Sequence, residues 1–477
     1  MKIFILSLTS MLLLLSSCNK FLDIQPKDKF IPTTVEDYEN LLNSMVVVTY
    51  GDFNADLLTD DAYLPEGEPG NLFTKQALTA RRIYTFQKDV FTEQDNDVLW
   101  SETYKRVFYF NTVIGEIMDA TEGTEKDKRS IRAEALVGRA SEFLLLVNAY
   151  AVHYDQKTAS ADPGIPLVMR ADISEKTDRN TVQQSYDRII QDLEEALPDL
   201  PEEPKITRFR ASKAAATALL ARAYLYMGDY EKAKQYADQT LSYYDVLVDM
   251  NNYQVTVPGP FEYVPGAPLG WTDIPDGQHN PESILSRHFL KPFGLGMNVC
   301  ASKELTSLFD NNDRRWVLYY ANGWPPAPPY NYFDQYGVKI YLRGDYYNNC
   351  ISTPEIYLTR AECEARQGNL EAAIKDLNAL RVNRISPEVY EDYSLTTFNN
   401  DPEKVLEAVL TERRRELAFQ GLRIADLKRL NKDPRFAKTI IHEAEGKSYT
   451  LEPNSPLYQR QIWPAAYRFN PDWQLNP

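Results

Sequence analysis

The chain has 477 residues and is 43% hydrophobic, enough for one large domain or two to three ordinary ones with a full core. A net charge of −16 and a pI near 4.9 speak against nucleic acid as a partner, because neutralising phosphates needs a basic surface. Polyanionic ligands are disfavoured more weakly, since a local basic patch can survive a global negative charge.

Lys2 and the apolar run Ile3 to Leu15 form an address label. The run is too short to cross a bilayer as a helix, which needs about twenty residues. Leu15-Ser16-Ser17-Cys18 resembles the bacterial lipobox, which makes residues 1–17 a removed signal peptide and Cys18 the lipidated mature N-terminus. Several acyl chains on one residue anchor a protein durably where a single chain does not. The later sequence holds no apolar run of spanning length. Cys300, Cys350 and Cys363 remain, without CxxC or Cys/His ligand spacing. One disulfide among them is open, a disulfide framework is not, and Cys363 reads as a small hydrophobe inside a helix.

Phe21 to Pro26 predicts a short extended lead from the lipid to the body. Val35 to Asn43 predicts a helix after Thr33-Thr34, with acidic residues in its first turn. Asp52 to Glu66 is acidic and irregular. Helical spacing marks Trp100–Ile117 and Ile131–Val152, which pair as a hairpin. Gly164–Val168 reads as extended, and Ser185–Leu197 as a helix ended by Pro198 and Pro201. In Leu220–Leu241, Ala221 stands seven before Gly228 and Ala233 five after it. In Tyr357–Leu380, Ala361 and Ala373 flank Gly368 at the same offsets. Both stretches resemble tetratricopeptide units, two helices brought close by small residues across a glycine turn.

Periodicity disappears from Met250 to about Tyr347, where prolines and aromatics alternate. Disordered segments are poor in aromatics, so this stretch predicts an ordered, loop-rich region with short strands, and long loops of this kind commonly carry function. Val405–Leu430 returns to helical spacing. Its run Arg413-Arg414-Arg415, bracketed by Glu412 and Glu416, predicts a solvated or salt-bridged face rather than an anion site.

Cys18 to Pro26 (CNKFLDIQP), Glu412 to Arg423 (ERRRELAFQGLR), Trp463-Pro464 and Asn470-Pro471 together resemble the SusD/RagB family of Bacteroidetes outer-membrane lipoproteins. Ile424, Ala425 and Asp426 depart slightly from the Trp and Asp that often follow the Arg in that family. The resemblance spans essentially the whole chain. It implies a mostly α fold, a right-handed superhelix of tetratricopeptide-like pairs supporting an irregular ligand-binding part. The implied divisions are 1–17 signal peptide, 18–248 N-terminal region, 249–347 loop-rich binding part and 348–477 C-terminal region. It also implies a surface-exposed, lipid-anchored outer-membrane protein that captures glycan and passes it to a SusC-like, TonB-dependent transporter, without catalysis or cofactor.

The residues agree with the absence of catalysis. His153, His279, His288 and His442 fall in no metal-ligand spacing, and neither Gly-x-Ser-x-Gly nor a phosphate-binding loop occurs. Adjacent carboxylates such as Asp60-Asp61 are a weak signal for a glycosidase in so acidic a chain. A peptide-binding tetratricopeptide scaffold is the alternative binding reading. For a glycan site, Trp271, Trp324, Tyr330 and Tyr332 are the candidate stacking rings, with Asp60 and Arg82 as polar partners. Trp324 stands first, held between Gly323 and the Pro325-Pro326 pair.

Overall fold

Three threonines start helices in the same way. In the computed structural model, which describes residues 31–49, 56–66, 71–204, 207–256, 271–272, 279–287, 299–322, 338–340 and 350–476, α1 spans Val35–Leu42 after Thr34. Then follow α2 (Leu78–Tyr84), α3 (Val98–Glu116), α4 (Glu125–Tyr150) after Thr124, and α5 (Val182–Ala196) after Thr181. Each threonine hydroxyl accepts from the third helical N–H, while Asp37, Asp127 or Gln184 accepts from the threonine's own N–H. The box at Thr181 starts α5 three residues earlier than apolar spacing predicts.

The centre is α6 (Lys213–Met227), buried on every side from Ala214 to Tyr226. A helix apolar all round belongs inside a stack, not on its surface. It turns at Gly228 into α7 (Tyr230–Tyr243). Beyond the loop-rich part lie α8 (Arg314–Tyr319), α9 (Thr353–Arg366), α10 (Leu370–Arg381), α11 (Pro402–Leu417) and α12 (Arg423–Leu430). Gly228 and Gly368 have φ of 76° and 84°. A Cβ at either would meet no atom within 4 Å, so it is the backbone sign and not crowding that selects glycine. Ala221, Ala233, Ala361 and Ala373 are all fully buried where the paired helices approach. Each long helix packs on the next: α3 on α4, α4 on α5, α5 on α6, α6 on α7, α7 on α9, and α9 on both α10 and α11. This is a mostly helical, tetratricopeptide-like stack.

Buried arginine–carboxylate pairs pin the layers. Arg106 of α3 meets Glu142 of α4 at 2.9 Å, and Arg139 of α4 meets Asp192 of α5 at 2.7 Å. Arg222 of α6 grips Glu355 of α9, with Nε to Oε1 at 2.7 Å. Arg429 of α12 grips Glu362 of α9, with Nη2 to Oε2 at 2.7 Å. Such pairs add little net stability against apolar packing but fix which helix meets which, because a shifted register strands a charge.

Val405–Leu430 is not one helix. The chain breaks at Phe419 and Gly421, with φ of 62° and 73°, before α12 begins at Arg423. The phenyl ring of Phe419 drives the break by seating in a cluster with Leu305 and Tyr320. The segment Ile440–Ala444 pairs with Lys447–Leu451 across Glu445-Gly446, both at positive φ, a hairpin that helical spacing does not reveal. Cys300, Cys350 and Cys363 are all buried. No helix among the described residues is long and apolar enough to cross a membrane. Cys18 and the Phe21–Pro26 lead lie outside the described residues.

Candidate ligand-binding face

A small antiparallel sheet joins the beginning of the chain to the loop-rich part. Its order is Ala62–Tyr63, Cys300–Ala301, Val338–Ile340, Tyr320–Asn322. Ala62 pairs with Ala301, Cys300 with Lys339, and Asn322 with Val338. The segment 323–337, which contains Trp324, Tyr330 and Tyr332, therefore connects two paired positions of the sheet. Those three residues lie outside the described residues. Trp271 is described at the backbone level, where it pairs with Thr256.

Beside the sheet stands an aromatic group that sequence reasoning passed over. Helix α8 runs straight into Tyr320, and its first-turn N–H at Arg315 is accepted by Asp313. Four-residue spacing stacks Trp316 on Tyr320 with centroids 5.4 Å apart, and Phe309 lies 5.9 Å from Trp316 and 4.9 Å from Tyr320. Phe309 and Trp316 are only partly buried. The Arg315 guanidinium stands 5.9 Å from the Phe309 ring centre. In the sequence Trp316 is one aromatic among many; only its distance four before Tyr320, within a short helix, sets it apart.

The foundation of this group is ionic. Arg315, 1% exposed, binds Asp313 at 2.7 Å, Glu412 at 2.7 Å and Glu416 at 2.8 Å. Arg384, with no exposed surface, binds the same Glu416 at 2.8 Å and Glu282 at 2.7 Å, and donates to the Val248 carbonyl at 2.8 Å. Burial would raise the pKa of Glu412, but Arg315 and Arg415 more than reverse it and hold it at about 2. The arginine run is thus salt-bridged, as its flanking glutamates predict, but little of it is solvated. Arg413 is buried against Asp426, Arg414 against Asp60 and Asp61, and Arg415 pairs with Glu412 and donates to the Leu308 carbonyl.

The two polar candidates separate. Asp60 is 6% exposed and accepts from Arg423 at 2.8 Å on both oxygens, with Arg414 at 3.0 Å and Lys438 at 2.6 Å. Burial alone would raise its pKa; the three cations instead hold it far below the carboxylate range. Its backbone carbonyl accepts from the Ser302 hydroxyl at 2.7 Å, next to the sheet. Asp61 is fully buried, and burial outweighs Arg414 to push its carboxyl up. A pair clamped this way is closed to substrate, which removes its glycosidase reading. Arg82 belongs to α2, donates to the Val90 carbonyl at 3.0 Å and stands 3.8 Å from Asp95.

Of the described histidines, His442 is taken up by packing. His442 lies between the rings of Tyr84 and Phe86 at 4.1 and 4.6 Å, with Nδ1 at 2.7 Å from the Tyr84 carbonyl and Nε2 at 2.9 Å from that of Thr59. Both nitrogens face backbone carbonyls, and the one that carries the proton ties the hairpin to the N-terminal segment. Among the described residues no group of His, Cys, Asp and Glu could hold a metal ion.

The site is thus a helical-repeat stack with a small sheet and two partly exposed aromatic rings beside it. A family model described as starch-binding associating with outer membrane matches residues 20–225, and one described as SusD family matches residues 351–470. The chain belongs to the SusD/RagB family. A SusD superfamily protein from Bacteroides thetaiotaomicron superposes with a TM-score of 0.69 at 20% identity, covering 93% of this chain and 100% of its own. A SusD-like carbohydrate-binding protein from Bacteroides vulgatus superposes with a TM-score of 0.63 at 20% identity, covering 92% and 97%. A SusD superfamily protein from Bacteroides fragilis gives 0.67 at 19% identity, covering 93% and 99%. At these identities the likeness is one of fold. No curated protein matches the chain.

Proposed function

We propose that this protein captures oligo- or polysaccharide at the outer-membrane surface without transforming it, and hands it to a TonB-dependent transporter. The observation that carries the reading is the pair of half-buried rings Phe309 and Trp316, stacked on the buried Tyr320 and built on a buried arginine foundation beside the strands that bound segment 323–337. Sugar rings present C–H faces that stack on flat rings, and a ring already fixed loses little entropy on binding. Trp324, Trp271, Tyr330 and Tyr332 supply further stacking surface in this reading. Arg82 is a polar partner, and Asp60 acts from beneath by fixing the sheet. Family membership and the carbohydrate-binding relative support glycan over peptide. Lipid on Cys18 supplies the anchor, and the four proposed divisions of the chain follow the same logic, with the loop-rich part at 249–347 as the binding part.

Calorimetric titration against a panel of polysaccharides, with peptide mixtures as the control, tests the reading. Trp316→Ala and Trp324→Ala are each expected to lower glycan affinity by about 1–3 kcal/mol, by analogy with aromatic stacking on flat rings. Full affinity in both variants, or binding of peptides only, refutes it. Cys18→Ala is expected to release the protein from the outer-membrane fraction.

A further inference from the structure

A cavity of about 120 Å³ lies away from the aromatic group, between α4, α6, the Gln420–Ala425 turn and the segment Leu457–Gln461. Its walls include Ile83, Phe86, Leu99, Leu144, Leu422 and Leu457, and the exposed Gln87 and Lys88 mark its opening. The cavity is half open, its walls are mostly apolar and it reaches between helices that elsewhere pack without gaps, so it offers a small molecule room that close-packed interiors do not.

Water is a poor occupant. A buried water makes two to four hydrogen bonds to groups that lack partners. Here most of the polar lining is engaged elsewhere. Asn148 donates to the Leu144 carbonyl, Ser141 to that of Gly138, Gln420 to that of Glu416, and Gln461 exchanges hydrogen bonds with the Phe91 backbone. Arg222 is held by Glu355 and the Cys350 carbonyl. Two hydroxyls are exceptions, that of Tyr226, one turn further along α6, and that of Tyr458. These residues are 2% and 3% exposed, both line the cavity, and neither hydroxyl has a hydrogen-bond partner. Leaving a buried hydroxyl unpaired is unfavourable unless a ligand completes it.

We infer that this cavity is a second binding site, for a small apolar molecule carrying one hydroxyl or carbonyl group, such as a simple phenol. The walls take the hydrocarbon, and Tyr226 takes the single polar atom. A dry, apolar cavity only slightly larger accepts benzene. The site is independent of the glycan reading and shares none of its residues.

Two probes of nearly equal shape test it, 4-methylphenol and toluene, titrated into the intact protein by calorimetry. Both are expected to bind, with the phenol tighter. Tyr226→Phe is expected to weaken 4-methylphenol about three- to tenfold, the reach of one hydrogen bond, and to leave toluene unchanged. Ala425→Leu and Leu144→Phe, which fill the cavity from two sides, are expected to abolish both while the protein stays folded by circular dichroism. Three results overturn the inference: no binding of either probe at millimolar concentration, an unchanged preference for the phenol in Tyr226→Phe, or a crystal structure with ordered waters hydrogen-bonded to Tyr226 filling the space. Glycan affinity is expected to stay unchanged with 4-methylphenol bound; competition between the two would show that no separate site exists.

Discussion

Arg384→Met tests the ionic foundation directly. The arginine has no exposed surface and bridges Glu282, from the loop-rich part, to Glu416 of α11. Methionine replaces its length but neither charge nor donors. Glu416 keeps Arg315 at 2.8 Å, whereas Glu282 keeps the Val248 N–H at 2.8 Å as the hydrogen bond to its carboxylate. Breaking a buried pair while leaving one charge behind costs about 3–5 kcal/mol, and this is the expected loss at pH 7. The loss should depend on pH. Burial already raises the Glu282 pKa against the pull of Arg384, so removing the arginine raises it further. A carboxyl with a folded pKa above its unfolded one favours the fold at low pH and penalises it as pH rises through the folded value. The deficit of Arg384→Met is therefore expected to shrink from pH 7 to pH 5.5. Adding Glu282→Gln should recover about 1–2 kcal/mol at pH 7, since contacting residues couple on that scale. Urea unfolding of the wild type, the single and the double variant at both pH values measures all three quantities. A loss below about 1 kcal/mol, or a deficit insensitive to pH, refutes the reasoning.

Gly228→Val is expected to destabilise more than Gly228→Asn, by about 1–2 kcal/mol in melting experiments, because the site is open and only its positive φ discriminates. Equal melting temperatures for the two would refute the turn assignment. Ala233→Leu and Ala373→Leu should each cost about 1–3 kcal/mol by overpacking the fully buried contact between paired helices. In acid, Glu412 and Asp426, both held at about 2 by arginines despite burial, are expected to give up their contribution. Depressed pKa values stabilise above the unfolded value and lose that effect as pH falls through the folded one, so stability should decline between about pH 4.5 and 2. A flat melting temperature across that window would show the pairs to be energetically idle.

The parts of the fold legible in the sequence are those written in local pattern. Two glycines with small residues at matching offsets gave both helical pairs, and helical spacing gave α3 and α4. What stayed hidden was decided by distant partners. Arg106, Arg139, Arg222 and Arg384 have the composition of surface residues, and only the carboxylates facing them make burial tolerable. The burial of Asp60 and Asp61 is hidden in the sequence for the same reason. The break at Phe419 was invisible because its cause is a pocket built by residues about a hundred positions earlier. The Glu445-Gly446 hairpin carried a local signal in its inward Ile440, His442 and Ala444, but five residues are too few to stand out beside long helices. Of the candidate ligand residues, the loop aromatics remain a proposal, and Trp316 emerged only when α8 set it against Tyr320.

The cluster around Asp60 also has a history in time. The aspartates at 60 and 61 leave the ribosome early, and the arginines and lysine that balance them follow 353 to 378 positions later. Until residue 438 has been made, two carboxylates destined for the interior lack their full counter-charge. Their burial is completed only with the last tenth of the chain, and a product cut short before Lys438 carries an incomplete cluster.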